Sequence, residues 1–183
     1  MSPEDPLAPS IRYRWTVLVM LTLVYTFNFI DRQILVILQE PIKADLGLSD
    51  AQLGLLSGFS FALVYVTAGI PIAWLADRGN RRNIVAVSLG FWSFMTALSG
   101  LAQNYGQLLA ARIGVGIGEA GGSPPSHSMV SDYFPAKQRG TALSFYSTGI
   151  YIGILIGFAA GGWIAETFGW RTAFFLVGVP GIF

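Results

Sequence analysis

The sequence holds no cysteine and a single histidine, His127. Without cysteine there is no disulfide framework, no thiol nucleophile and no thiolate metal site. One histidine supplies no zinc or iron constellation. Charge is scarce as well. Only 11% of residues are Asp, Glu, Lys or Arg, while 53% are hydrophobic. Soluble domains carry roughly 25% charged residues, so a folded globule of this composition lacks the polar surface to stay in water. The net charge of +1 argues for neither nucleic acid nor an acidic partner, so what matters is where the charges sit. No metal constellation and no nucleophile–base pair is present, so catalytic residues and cofactors are not expected. What remains is an all-α integral membrane protein.

The apolar runs say how it spans. Ala51–Ala76, Asn83–Ala111 and Gly140–Ala165 carry no charge over 26, 29 and 26 residues. Each exceeds the ~20 residues that cross ~30 Å of hydrocarbon as a helix. Trp15–Leu38 is interrupted by Asp31 and Arg32, and Ile113–Ser131 by Glu119. Continuous runs, rather than ~10-residue alternating segments, exclude a barrel. Six helices are expected at about 13–38, 51–76, 83–102, 107–130, 140–164 and 170 onward. Residues 1–12, with three prolines and two acids, are expected to form a disordered tail, and 13–183 a single six-helix domain. The tail lacks the basic start and apolar core of a signal peptide. A sixth span starting at Trp170 covers about 14 residues, of which Thr172–Phe183 is the apolar run, short for a crossing. The chain is therefore expected to be part of a longer polypeptide, truncated in or near the sixth helix.

Arginine and lysine set the expected orientation. Arg12, Arg14, Arg78, Arg81, Arg82, Lys137 and Arg139 flank one side, against Lys43 and Arg171 on the other. The cation-rich side is expected to be cytoplasmic, with the amino terminus inside.

Four charges fall inside the spans: Asp31 and Arg32 in the first helix, Arg112 and Glu119 in the fourth. Each costs at least ~2.5–3.5 kcal/mol at a helix centre, so such residues usually line a bundle interior or a watery cavity. Asp31 lies seven residues before the outer end of its helix and Arg112 five after the start of its own. At 1.5 Å per residue both lie roughly 8–11 Å deep, so they are placed to pair. Glu119 is two turns further, about 20° off the Arg112 face, with Gly116 between them. A carboxylate raised in pKa by burial and lowered by a movable cation is what proton coupling needs. The alternative is a static salt bridge. Arg32 points ~100° away from Asp31, toward the site or snorkelling outward. Asn28 lies one turn below Asp31, within hydrogen-bonding reach of it or of a substrate.

Asp77-Arg78-Gly79-Asn80-Arg81-Arg82 joins the second and third helices. Topology explains the arginines but not the aspartate. This loop resembles the signature of the major facilitator superfamily, a glycine, three residues, then D-R-x-G-R-R. Ala73 stands for the leading glycine, and Gly79-Asn80 reverses the expected order. Asparagine tolerates left-handed backbone better than most residues, which would let the turn survive. Arg112-Ile-Gly-Val-Gly116-Ile-Gly118-Glu119-Ala120, Ser131-Asp132-Tyr133-Phe134-Pro135 and Arg139-Gly140 are similar to the fourth helix and following loop of the same superfamily. Asn28-Phe29-Ile30-Asp31-Arg32, the Gly-Glu-Ala step and Ser144-Phe145-Tyr146 resemble its Spinster branch.

The resemblance implies the amino-terminal six-helix half of a transporter, built of two inverted three-helix repeats, and a missing carboxy-terminal half. It implies that Asp31 and Arg112 form a proton-linked pair, that Glu119 lies at the cavity, and that Asp77 with Arg78, and the Arg81–Arg82 pair beside them, latches the cytoplasmic gate. The partners it implies are protons, membrane lipid and an amphipathic lipid-like or small organic anion, in a bacterial inner membrane. A sugar or organic-acid symporter is the alternative carrier. A six-helix scaffold or receptor module with structural salt bridges is the alternative of another class.

Gly116-x-Gly118-x-x-Gly121 spells a dinucleotide fingerprint but sits in a span rather than after a β-strand, which excludes that use. Gly149, Gly153, Gly157 and Gly161 form a four-residue row on the fifth helix, expected to admit a close neighbour. It resembles the superfamily's fifth-helix signature, with Phe158 where proline usually stands. His127 is expected to be structural or interfacial, and Tyr65, Tyr146 and Tyr151 to pack within their spans.

Overall fold

The computed structural model describes residues 9–183, and the side chains of all of these except 59–61. Residues 1–8 of the expected tail lie outside the described residues. Every regular element among those described is helical. In chain order they are α1 (Ile11–Ile37), α2 (Gln39–Leu46), α3 (Asp50–Gly54), α4 (Ser60–Arg78), α5 (Arg81–Ser99), α6 (Tyr105–Glu119), α7 (Ser123–Tyr133), α8 (Ala136–Phe168) and α9 (Trp170–Gly178). A π turn at Leu55–Phe59 joins α3 to α4, and a 3-10 turn at Val179–Ile182 follows α9.

The helix starts follow from local capping. Ser10 accepts from the Tyr13 amide at 3.2 Å, so α1 opens at Ile11 and absorbs the end of the expected tail. Asn80 and Asn104 accept from the amides three residues on, at 3.3 and 3.0 Å, each satisfying a donor that a helix start leaves unpaired. Ser49 and Gln52 form a reciprocal capping box. The connection expected at 39–50 is thus mostly helical: α2 continues past Leu38 until Gly47 turns left-handed at φ 64°. In the loop after α4 the left-handed backbone expected of Asn80 does not occur. Asn80 is extended, with φ −79° and ψ 103°, because its side chain is needed as the cap of α5.

The fourth crossing is two helices rather than one. α6 ends at Glu119 and α7 begins at Ser123. Gly121-Gly122 weaken helix continuation, and Pro124 and Pro125 lack the amide donors that would extend α6 through them. The fifth helix begins at Ala136, four residues earlier than expected, since Pro135 can precede a helix but not sit within one. On length and composition alone, three helices among the described residues are apolar and long enough to span a membrane: Ile11–Ile37, Asp50–Arg78 and Ala136–Phe168. α5 opens on two arginines and buries Ser88, Ser93, Thr96 and Ser99. α6 buries Arg112 and Glu119, and the apolar helix at Trp170–Ile182 is short. These polar residues face protein, where lipid does not meet them. Large apolar side chains such as Ile70, Leu155, Val66 and Trp163 are more than 60% exposed, as helices solvated by lipid require.

Two apolar clusters hold the bundle. One joins Ile34, Leu38 and Ile42 to Leu53, Leu108, Trp170 and Phe174. The other joins Leu18 and Leu21 to Val85, Val130, Phe134 and Tyr146. α1 packs most extensively on α8, through the glycine row. A Cβ at Gly149 would stand 2.8 Å from the Thr22 carbonyl oxygen, and one at Gly153 would stand 2.6 Å from that of Thr26. At Gly157 and Gly161 it would meet Gln33 and Ile34 side-chain carbons at 2.7 and 2.6 Å. α5 approaches α6 similarly: a Cβ at Gly118 would stand 2.7 Å from the Trp92 Cβ. Gly118 and Gly121 therefore serve helix packing.

Candidate functional site

Along α1, between Leu21 and Ile34, apolar packing gives way to a buried polar layer. Asn28, Asp31, Thr96, Arg112 and Glu119 are each less than 10% exposed. Asp31 uses both carboxylate oxygens. Arg112 Nη1 on α6 donates to Oδ1 at 3.1 Å, and Thr96 Oγ1 on α5 donates to Oδ2 at 2.6 Å. The equal depth of Asp31 and Arg112, counted along two oppositely running helices, is realised as contact. Three helices thus meet at one carboxylate.

A second pair lies beside the first. Arg32 Nε donates to Glu119 Oε2 at 2.7 Å. Its guanidinium also stands 5.4 Å from the Phe29 ring centre and 5.2 Å from that of Tyr65, distances at which an aromatic face attracts a cation. Arg32 therefore turns inward rather than snorkelling. The ~100° between adjacent residues on α1 sends Asp31 to Arg112 and Arg32 to Glu119. The four intramembrane charges are arranged as two ion pairs that bridge α1 and α6. Each buried ion has a counter-charge, which the cost of desolvation demands.

The layer keeps unused capacity. Asn28 Oδ1, Arg112 Nε and Glu119 Oε1 are buried without a hydrogen-bond partner among the described residues. Such groups are expensive to leave unmade, and together they offer two acceptors and a donor to a proton, a water or a polar ligand. Tyr25 stacks on Tyr146 with centres 4.4 Å apart, and His127 meets Tyr146 edge-on at 5.1 Å. Tyr146 is buried, as expected, but Tyr151 is 74% exposed on the outside of α8 and packs within neither core cluster.

The loop charges sit elsewhere. Asp77 and Arg78 close α4 in exposed positions, and Arg78 lies over the Trp74 ring at 3.9 Å. Among the described residues Asp77 has no ion-pair partner. Arg81 pairs with Asp132 at the end of α7. Arg82 lines a crevice of about 350 Å³ with Tyr13, Met20 and Tyr133.

Two participants were not anticipated from sequence. Thr96 lies in a charge-free run, and its only hint is a polar spacing, Ser88, Trp92, Thr96, Ser99, on one side of α5. Asp132 stands in the Ser-Asp-Tyr-Phe-Pro stretch, where nothing marks it as the partner of Arg81.

The family model of the Major Facilitator Superfamily matches residues 21–183. The chain is 40% identical over 171 residues to an efflux pump of Mycolicibacterium smegmatis, covering 93% of this chain and 40% of the pump. It is 35% identical over 184 residues to a probable galactarate/D-glucarate transporter of Bacillus subtilis, covering 97% and 40%. Among solved structures it resembles a bacterial homologue of the human lysosomal transporter Spinster, inward-facing and occupied, with 42% identity and a TM-score of 0.84 over 95% of this chain and 43% of that one. The chain spans about 40% of the length of these curated relatives.

Proposed function

The chain belongs to the major facilitator superfamily of membrane transport proteins, and from that premise we propose that it is the amino-terminal half of a proton-coupled carrier of organic anions working by alternating access. The Asp31–Arg112 contact carries the reading: a buried cation held by a carboxylate at 3.1 Å. Ionised Asp31 neutralises Arg112. A proton on Asp31 cancels the attraction and frees Arg112 for an anionic group entering from the cavity, while Arg32 holds Glu119 beside it. Anion binding and proton binding then support one another, and by linkage each tightens the other by the same factor, typically 5–150-fold. The galactarate/D-glucarate transporter among the relatives favours an acid anion. The resemblance to Spinster keeps an amphipathic anion as the second class.

The amino terminus is cytoplasmic on the strength of the seven cations on that face, and the bacterial relatives favour an inner membrane. Asp77 and Arg78 latch the inner gate through a partner in the other half of the carrier. Asp31→Asn in the full-length protein tests the coupling. Galactarate or a lysophospholipid should still protect it from heat, with a flattened pH dependence, while accumulation against a gradient fails. Accumulation with the wild-type pH profile would assign Asp31 to a structural salt bridge.

A further inference from the structure

Thr96 makes one hydroxyl hydrogen face two acceptors. Its Oγ1 is 2.6 Å from Asp31 Oδ2 and 2.9 Å from the Trp92 carbonyl oxygen of its own helix. Both lie within hydrogen-bond distance, and a hydroxyl has one hydrogen and two lone pairs. Resting on the reading of Asp31 as the proton site, we propose that Thr96 is the positioning residue that decides which oxygen of Asp31 takes the proton.

The two oxygens are not equivalent. Oδ1 is occupied by Arg112 Nη1, a cation that can only donate. A proton bound there would sit on the oxygen that faces the guanidinium charge, which disfavours it. Oδ2 is occupied by a hydroxyl that can turn round. The Thr96 hydrogen swings to the Trp92 carbonyl, the incoming proton binds Oδ2, and the new Oδ2–H donates to Thr96 Oγ1. One proton is added, the Asp31–Thr96 bond reverses direction, and no heavy atom has to move. Arg112 is released afterwards, because the charge that held it is gone.

The charged groups on the other helices of the bundle do not offer this alternative. α6 brings Arg112 and Glu119, and α1 itself brings Arg32, already held by Glu119. α8 has no charged residue from Gly140 to Ala165, α9 carries Arg171, paired with Asp45, and α7 carries His127 and Asp132. α5 contributes a neutral hydroxyl where its neighbours contribute ions. The burial of Thr96, at 1% exposure, keeps water from substituting for it.

The hydroxyl helps the ionised acid more than the neutral one, since hydrogen bonds to a charged partner are roughly twice as strong. Removing it should let Asp31 protonate more readily, moving the titration midpoint up by about one pH unit, tenfold in proton affinity.

Infrared titration of the full-length protein in liposomes reads this without a substrate, through the protonated-carboxyl band that Asp31→Asn removes. Thr96→Val should move the midpoint of that band up by about one unit and raise its stretching frequency, because the neutral acid has lost its acceptor. Thr96→Ser should restore both, and Thr96→Ala replaces the valine variant if that protein does not accumulate. An Asp31 band that titrates unchanged in the valine or alanine variant, or shifts as far in the serine variant, overturns the role of Thr96 alone. If Asp31→Asn removes no titrating band, the proton-site reading fails and takes this one with it.

Discussion

α1 shows two opposite faces to its neighbours. Toward α8 it offers Thr22, Thr26, Gln33 and Ile34 to a row of glycines, and the threonine hydroxyls bond back to the carbonyls of Leu18 and Thr22 at 2.8 and 2.9 Å. The two threonine hydroxyls on that seam are satisfied within their own helix. Toward α6 it offers Asp31 and Arg32, whose charges are satisfied only by another helix. The first seam has one arrangement, set by backbone contact. The second is held by interactions that a proton or an anion can replace. An alternating-access carrier needs both: a rigid frame, and a polar seam whose bonds change partner.

The largest expected effect breaks the rigid side. Gly153→Leu places a Cβ where the Thr26 carbonyl and Phe29 Cβ lie at 2.6 and 2.7 Å. Overpacking costs about 1–3 kcal/mol where side chains can shift, and more here, because the obstacle includes backbone. No monodisperse protein should elute on size exclusion in detergent. Gly162→Leu on the same helix, with nothing within 4 Å of its Cβ, should elute as wild type. Equal tolerance of the two would mean that the seam is looser than its geometry.

The next effect belongs to the labile side. Arg112→Ala leaves Asp31, 2% exposed at its side chain, without its cation. Stranding one partner of a buried pair costs about 3–5 kcal/mol, whereas removing both can be nearly neutral. Thermal melting of Arg112→Ala should therefore fall well below that of the Asp31→Ala/Arg112→Ala double variant. A double variant no better than the single would show that the pair stabilises rather than gates.

How far this contrast was legible in the sequence depends on what each feature is made of. The glycine row and the Asp31–Arg112 depth match are properties of helix periodicity, and counting recovers them. The Arg32–Glu119 pair depends on how a long side chain bends, which spacing does not determine. Thr96 escaped because a helical threonine ordinarily satisfies itself on the carbonyl four residues back, and does so here as well; its second acceptor exists only in three dimensions. The division of the fourth crossing left a sign in Gly121-Gly122 and Pro124-Pro125, masked by the mostly apolar run in which they stand. α2 left a weaker one, since a polar helix on a membrane surface looks like a loop in hydropathy.

Loop ion pairs repeat the chemistry of the interior without its energetics. Asp132 and Arg81 have side chains 62% and 30% exposed, and pairs of this kind are worth about 0–1 kcal/mol. Asp132→Ala should lower stability by less than about 1 kcal/mol, with most of that loss disappearing in high salt. A loss comparable to that of Arg112→Ala would make this loop pair a structural clamp in its own right.

The smallest effect is expected where α9 begins. Asp45 accepts from Arg171 Nη1 at 2.5 Å and from Trp170 Nε1 at 3.3 Å, at the first two residues of the short apolar α9. The Arg171 hydrogen bond is the leading cause that holds the Asp45 carboxyl below the usual carboxylate range, and partial desolvation opposes it. A carboxyl depressed in the folded state stabilises that state at pH values above its unfolded value of roughly 3.9, and the contribution is lost as pH falls through the lower folded value. The melting difference between wild type and Asp45→Asn should therefore be small and constant from pH 7 to about pH 5, then shrink toward zero below about pH 4. The direction separates this site from the proposed action of the buried seam, because acid acts here by dissolving a surface contact, whereas under the proposal protonation of Asp31 frees a cation for use. A difference that widened toward acid would mean that protonated Asp45 is the better partner for α9, and the ion pair would then have no part in holding that corner.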